Sequence, residues 1–207
     1  MWVSRLWTTL VVMISGGLFL CSGQASAEPF RIIALGTSNT YCKGTPRTAP
    51  YPAQLENLLK AEGLDVTVIN AGINGDIPAN MLGRLKAFAP TPQDLIIFEP
   101  GPNDKNPSSN IRDSEEILAW LAGQHIPTVY VSHPSIQSDA DGQASAEKFS
   151  AVYYGPWNKG VPTTREFRQY DIPGGAGHMT ASGCRLWAEN ILPVVKDQLG
   201  KLGKNPG

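Results

Sequence analysis

Neither sign of charge predominates in this 207-residue chain: 17 lysines and arginines stand against 18 aspartates and glutamates, for a formal net charge of −1. That balance removes the electrostatic case for nucleic acid or an anionic membrane surface as partner. Signatures of nucleotide binding are missing too. The loop after the first apolar run lacks Gly-x-Gly-x-x-Gly, and no Gly-x-x-x-x-Gly-Lys-Ser/Thr occurs, so the phosphate-cradling loops of dinucleotide and nucleoside triphosphate sites are excluded. Internal repeats, low-complexity blocks and interdomain linkers are also absent, which leaves a single domain. Beyond the N-terminus no apolar stretch approaches the ~20 residues that span a bilayer.

The one long apolar run is N-terminal. Arg5 is the only charge before Glu28, and Leu6 to Leu20 is interrupted only by Thr8, Thr9, Ser15 and two glycines. Ala25-Ser26-Ala27 then offers small residues where a signal peptidase reads. The expectation is a signal peptide over residues 1–27, a mature domain over 28–207, and an exported protein, periplasmic or secreted, with no membrane span after processing. Leu20 is too bulky for lipoprotein processing at Cys21. Only three cysteines occur; with Cys21 removed, Cys42 and Cys184 remain in a compartment that permits disulfides. A bridge and two independent thiols both stay open, since the sequence does not supply the Cα separation.

Apolar runs alternate with amphipathic segments. Strands are expected at 30–36, 65–70, 94–99 and 128–131, and helices at 51–62, 77–88, 111–124 and about 180–199, the last kinked or divided by Pro193. Residues 144–154 read as a helix and 161–167 as a short fifth strand. Strands alternating with helices imply an α/β fold, a parallel sheet covered on both faces. In such sheets ligands bind beyond the carboxyl ends of the strands.

Three loops at that edge carry polar residues: Gly36-Thr37-Ser38-Asn39-Thr40, Asn70 to Asp76, and Gly101-Pro102-Asn103-Asp104. His178 stands just before the last helix. Singly, each has a structural explanation as cap or turn. Together they form the parts list for acyl transfer. A serine hydroxyl needs a base to take its proton, and the tetrahedral oxyanion needs preorganised donors. Ser38 N–H, Gly75 N–H and the Asn103 side-chain amide are the candidate donors.

In order and spacing these blocks resemble the SGNH (GDSL-type) hydrolases. Ala34 to Thr40 resembles the nucleophile block, Asn70 to Asp76 the glycine block, Phe98 to Asp104 the Gly-x-Asn-Asp block, and His178 with Thr180 to Gly183 the histidine block. The resemblance implies a three-layer α/β/α flavodoxin-like fold with a five-stranded, mainly parallel sheet, and an esterase needing no metal or organic cofactor. In it Ser38 is nucleophile, His178 general base, and Ser38, Gly75 and Asn103 the oxyanion hole. Its closest branch is the single-domain arylesterase, lysophospholipase and thioesterase group. Small short-chain esters are the expected substrates; carbohydrate O-deacetylation and a non-catalytic periplasmic binding protein are the alternatives. The oligomeric state is left open.

Two positions depart from the pattern. Thr37 stands where the family has Asp, and Gly175 stands three residues before the histidine, where members commonly place the triad carboxylate. Asp171, seven residues upstream of His178, can serve only if the glycine-rich loop between them folds back; otherwise Ser38 and His178 form a dyad. His125 is expected at a helix end, where its charge suits the dipole. His133 is a weaker candidate base at the correct sheet edge, and Tyr153, Tyr154 and Trp157 are candidates to flank the cleft.

Overall fold

The computed structural model describes residues 28–204, and the expected leader lies outside them. Strands β1 (Phe30–Gly36), β2 (Val66–Gly72), β3 (Leu95–Phe98), β4 (Thr128–Ser132) and β5 (Val152–Pro156) form one sheet in the order β2-β1-β3-β4-β5. Every neighbouring pair is parallel. Parallel neighbours cannot be joined by a hairpin, so each connection crosses over a face of the sheet. The helices are α1 (Ser38–Tyr41), α2 (Tyr51–Ala61), α3 (Pro78–Ala87), α4 (Pro107–Gly123), α5 (Asp139–Lys148) and α6 (Ala181–Lys201). This is the doubly wound, flavodoxin-like strand order, and its topological switch lies between β1 and β3.

Successive strand side chains point to opposite faces, so the unbroken apolar runs fill two cores. Ile32, Ala34, Leu95, Ile97, Val129 and Val131 pack with α2 and α6 through Leu55, Leu59, Trp187, Ile191 and Val195. Ile33, Leu35, Ile96, Phe98 and Tyr130 pack with α3, α4 and α5 through Met81, Leu85, Ile117, Leu121 and Ala146. Pro193 lies inside α6 without dividing it; buried residues on both sides of it, Trp187 and Ile191 before, Val195 and Leu199 after, hold the two halves on one core. No helix of the described residues is long and apolar enough to cross a membrane.

Three expectations are corrected. The segment 144–154 is not one helix: α5 ends at Lys148, Ala151 N–H returns to the Ala146 carbonyl, and Ser150 takes a left-handed φ of 56°. That reversal releases Val152-Tyr153-Tyr154, β-branched and aromatic, to become the fifth strand. Residues 161–167 are therefore loop and turn rather than strand; Pro162 has no N–H to give a ladder. The helix expected from Ile111 starts earlier, at Pro107, where Asn106 accepts the Ser108 N–H at 2.9 Å and proline suits the first turn.

Cys42 and Cys184 are joined as a disulfide, with Cα atoms 6.7 Å apart. The bridge spans 142 residues, and in the loop-entropy account a linkage of that span is worth about 5 kcal/mol through the unfolded chain. It also ties the turn carrying Ser38 to the helix that follows His178.

Candidate active site

Because all five strands run the same way, their carboxyl ends share one edge. Ser38 follows β1, Gly75 follows β2, Asn103 follows β3, His133 follows β4 and Trp157 follows β5. Ser38 opens the short α1 directly after β1, next to the switch point, and is largely buried. His178 is 140 residues away in sequence, yet its Nε2 lies 2.9 Å from Ser38 Oγ.

A hairpin sets where Asp171 lies relative to His178. Gln169 N–H donates to the His178 carbonyl at 2.7 Å, and Gly177 N–H donates to the Gln169 carbonyl at 2.7 Å. Arg168 bridges antiparallel to Met179, and Ile172 to Gly175. Residues 168–172 thus run back alongside 175–179, which brings Asp171 beside a histidine seven positions later. Asp171 Oδ2 is 2.5 Å from His178 Nδ1, and Oδ1 accepts the His178 backbone N–H at 3.0 Å. Burial pushes the Asp171 carboxyl up, but the His178 hydrogen bonds and charge outweigh it and hold the pKa below the usual aspartate value. Gly177 is required by close approach: a Cβ there would stand 2.1 Å from Asp171 Oδ1. Gln169 Nε2 fastens the hairpin to the Ser38 turn, donating to the Lys43 and Met179 carbonyls, each at 2.6 Å. Thr180 then caps α6 through the Gly183 N–H at 3.2 Å.

The expected oxyanion donors are distributed unequally. Asn103 lines the cavity beside Ser38 and His178, and its Nδ2 donates one hydrogen to the Asp76 carbonyl at 2.9 Å. That contact orients the amide and leaves its second hydrogen uncommitted. Gly75 is not in the cavity wall. It sits in the adjoining turn, where φ of 76° suits glycine, and its N–H has no acceptor among the described residues. The turn is held from beneath by Asp76, whose carboxylate pairs with Arg84 at 2.5 Å. Ser38 N–H, at the start of α1, has no intrahelical acceptor.

Sequence reasoning missed Glu99. It is fully buried and forms no ion pair among the described residues. Its carboxyl accepts from Thr37 N–H at 3.1 Å, Thr37 Oγ1 at 2.9 Å, Asn39 Nδ2 at 3.2 Å and Thr40 Oγ1 at 3.1 Å. The residues flanking Ser38 on both sides therefore hang on one carboxyl group from the neighbouring strand. This also explains Thr37: its N–H and hydroxyl both answer Glu99. The available signal was a lone acidic residue closing the otherwise apolar run Leu95-Ile96-Ile97-Phe98. Burial raises its pKa against the opposing hydrogen bonds from Thr37, Asn39 and Thr40. Glu99→Ala would strand these donors, and a loss of about 3–5 kcal/mol is expected in urea unfolding. Glu99→Gln should stay within about 1 kcal/mol of wild type, because one amide oxygen still accepts and Asn39 can flip to meet the other end. As a raised carboxyl pKa makes ionisation destabilising, wild type should lose stability relative to Glu99→Gln as pH rises through that pKa. A Glu99→Ala protein as stable as wild type would refute the anchoring role.

Other candidates are placed elsewhere or differently. His133 lines the cavity but makes no hydrogen bond to Ser38; its ring stacks on Trp157 at 5.8 Å and Nδ1 accepts the Ser135 N–H. Burial, aided by the Arg168 charge, pushes its pKa down to about 4. His125 is exposed, just past the C-terminus of α4. Of the three aromatics, only Trp157 faces the cleft: Tyr154 is buried in the α2/α6 core, and Tyr153 bonds Ser132 and Asp139 on the other side. The cavity holds about 380 Å³.

No family model matches the chain. Esterase TesA of Pseudomonas aeruginosa is 34% identical to it over 205 residues, covering 91% of this chain and 98% of that protein. An arylesterase of Vibrio mimicus is 36% identical over 97 residues, 46% of this chain. The chain spans about half the length of that second relative, 48%. Among solved structures, AlinE4, an SGNH-hydrolase family esterase, superposes with a TM-score of 0.59 at 26% identity over 84% of this chain and 98% of its own.

Proposed function

The chain is an ester-hydrolysing member of the SGNH (GDSL-type) hydrolases, and we propose that it cleaves small, short-chain esters through an acyl-enzyme formed on Ser38. The observation that carries this reading is the continuous relay from Ser38 Oγ to His178 Nε2, 2.9 Å, and from His178 Nδ1 to Asp171, 2.5 Å. His178 takes the serine proton as Oγ attacks the ester carbonyl. Asp171 holds the imidazole in the tautomer whose Nε2 is free to accept, and stabilises the imidazolium that forms. The developing oxyanion is met by the Ser38 N–H and the free hydrogen of Asn103, and the uncommitted Gly75 N–H of the adjoining turn is the third donor of this proposal. His178 then returns the proton to the departing alcohol, and a water repeats the sequence to release the acid.

A cavity of about 380 Å³ walled by Pro102, Pro134, Trp157 and Ile172 suits a small acyl group better than a long one. Export, with the leader removed before Glu28, belongs to the same proposal. The Cys42–Cys184 bridge supports it, because such bonds persist in oxidising compartments.

The test is covalent. A fluorophosphonate should phosphonylate Ser38, seen as one adduct on the peptide that contains it, and should abolish hydrolysis of p-nitrophenyl acetate in step. An unlabelled Ser38 would overturn the acyl-enzyme and favour a protein that uses the crevice only to bind.

A further inference from the structure

Arg84 stands on α3, outside the cavity wall, yet its guanidinium reaches three of the segments that build the site. Nε and Nη2 both donate to one oxygen of the Asp76 carboxylate, at 2.9 and 2.5 Å. Nη1 donates to the Ala71 carbonyl near the end of β2, at 2.9 Å. Nη2 also makes a longer contact, 3.4 Å, to the Gly36 carbonyl at the end of β1, just ahead of Thr37 and Ser38. The other Asp76 oxygen accepts from Asn80 Nδ2 at 3.1 Å, so the carboxylate is held at both ends. Asp76 is itself buried, and its backbone carbonyl is the acceptor that fixes the Asn103 amide at 2.9 Å.

An asparagine side chain can turn its amide, and an oxyanion donor helps only when its hydrogen already points at the developing charge. The Asp76 carbonyl sets that direction for Asn103, and Arg84 sets the position of Asp76. A planar fork suits this task. Its donors leave in fixed directions, toward a carboxylate on one edge and a strand-end carbonyl on another, whereas an ammonium on a flexible stem has no such geometry. We propose that Arg84 is a positioning residue of the oxyanion hole, acting through Asp76 on Asn103. The proposal rests on the esterase reading and adds to it a residue that touches neither the substrate nor the reacting atoms. A carboxylate pair alone would serve only stability. The bonds to the ends of β1 and β2 fix the pair to the sheet edge, and the Asp76–Asn103 bond carries that fixed position to the donor.

The experiment is a double-mutant cycle on p-nitrophenyl acetate hydrolysis by the purified protein, with folding checked by circular dichroism. Arg84→Met keeps an unbranched stem and removes every donor. Its kcat is expected to fall by about 10- to 100-fold with KM within about threefold of wild type, because the oriented amide is needed mainly in the transition state. Asn103→Ala should lower kcat by about 10²-fold. In that background Arg84→Met should cost no more than about threefold, since the donor it positions is already gone. A merely structural arginine would give the same fall in both backgrounds, and that result would overturn the proposal. An effect of Arg84→Met confined to KM, or none on kcat, would overturn it too. So would an Asn103→Ala loss below about fivefold, which leaves no donor worth positioning. Should Arg84→Met fail to fold, Arg84→Lys enters the same cycle; it keeps the charge without the fork, and a fall of about tenfold is expected in the wild-type background alone. Wild-type protein that does not hydrolyse p-nitrophenyl acetate would instead count against the esterase reading itself, which separates the two failures.

Discussion

Ser38→Ala should cost about 10⁴-fold or more in kcat for p-nitrophenyl acetate, with the fold intact. The size follows from the loss of the nucleophile itself. The donors that meet the oxyanion would remain, but no acyl-enzyme can form, and water must attack without its geometry having been prepared. Stability should change little. The hydrogen bond of the hydroxyl is to His178, whereas the turn is suspended from Glu99 by Thr37, Asn39 and Thr40. Circular dichroism and urea unfolding should therefore match wild type while turnover collapses. Hydrolysis retained within tenfold of wild type would remove Ser38 from the mechanism.

Asp171→Asn comes next, with an expected fall of about 10²- to 10⁴-fold in kcat and little change in KM. Asparagine is nearly isosteric, and its oxygen can still accept the His178 backbone N–H, so the hairpin should persist. What changes is the partner of Nδ1. An amide NH₂ turned toward Nδ1 would donate to it and move the ring proton to Nε2, where it faces Ser38 and blocks proton acceptance. An imidazolium would also form without a neighbouring negative charge.

The pH dependence of wild type has a definite sign. The folded-state pKa of Asp171 is depressed, so its ionised contacts with His178 are complete above the ordinary aspartate range and are lost only as pH falls through the lowered value. A rate for Asp171→Asn within threefold of wild type at neutral pH would mean that Ser38 and His178 suffice as a dyad.

The legibility of this protein in its sequence varied by element. β1, β3 and β4 hold the apolar runs Ile32 to Leu35, Leu95 to Phe98 and Val129 to Val131, bounded by turn residues, and both faces of a covered parallel sheet demand that pattern, while the edge strand β2 exposes Thr67. β5 was misread because nothing between Ala144 and Tyr154 punctuates the chain. The break falls at Ser150, an ordinary residue driven to positive φ. Ser38, Asn103 and His178 were legible as candidates because each stands in a loop at the end of a predictable element. Glu99 was quoted as part of a motif and given no task, since only the packed structure shows three neighbours of Ser38 converging on it. Arg84 was given no task either: one basic residue on a helix resembles another until the direction of its fork is known.

Alone, the sequence determined the layered α/β architecture and put Ser38 and His178 in loops beside its elements, because local periodicity sets which faces must be buried and which loops meet at the carboxyl edge. Tertiary structure decided the rest: that Cys42 reaches Cys184, that the 168–179 hairpin delivers Asp171 to His178, and that Arg84 joins the ends of β1 and β2. Each depends on a distance of a few ångströms between groups whose separation along the chain carries no such information. Backbone pairing and the absence of a side chain at Gly177, rather than spacing in the sequence, set the carboxylate's reach.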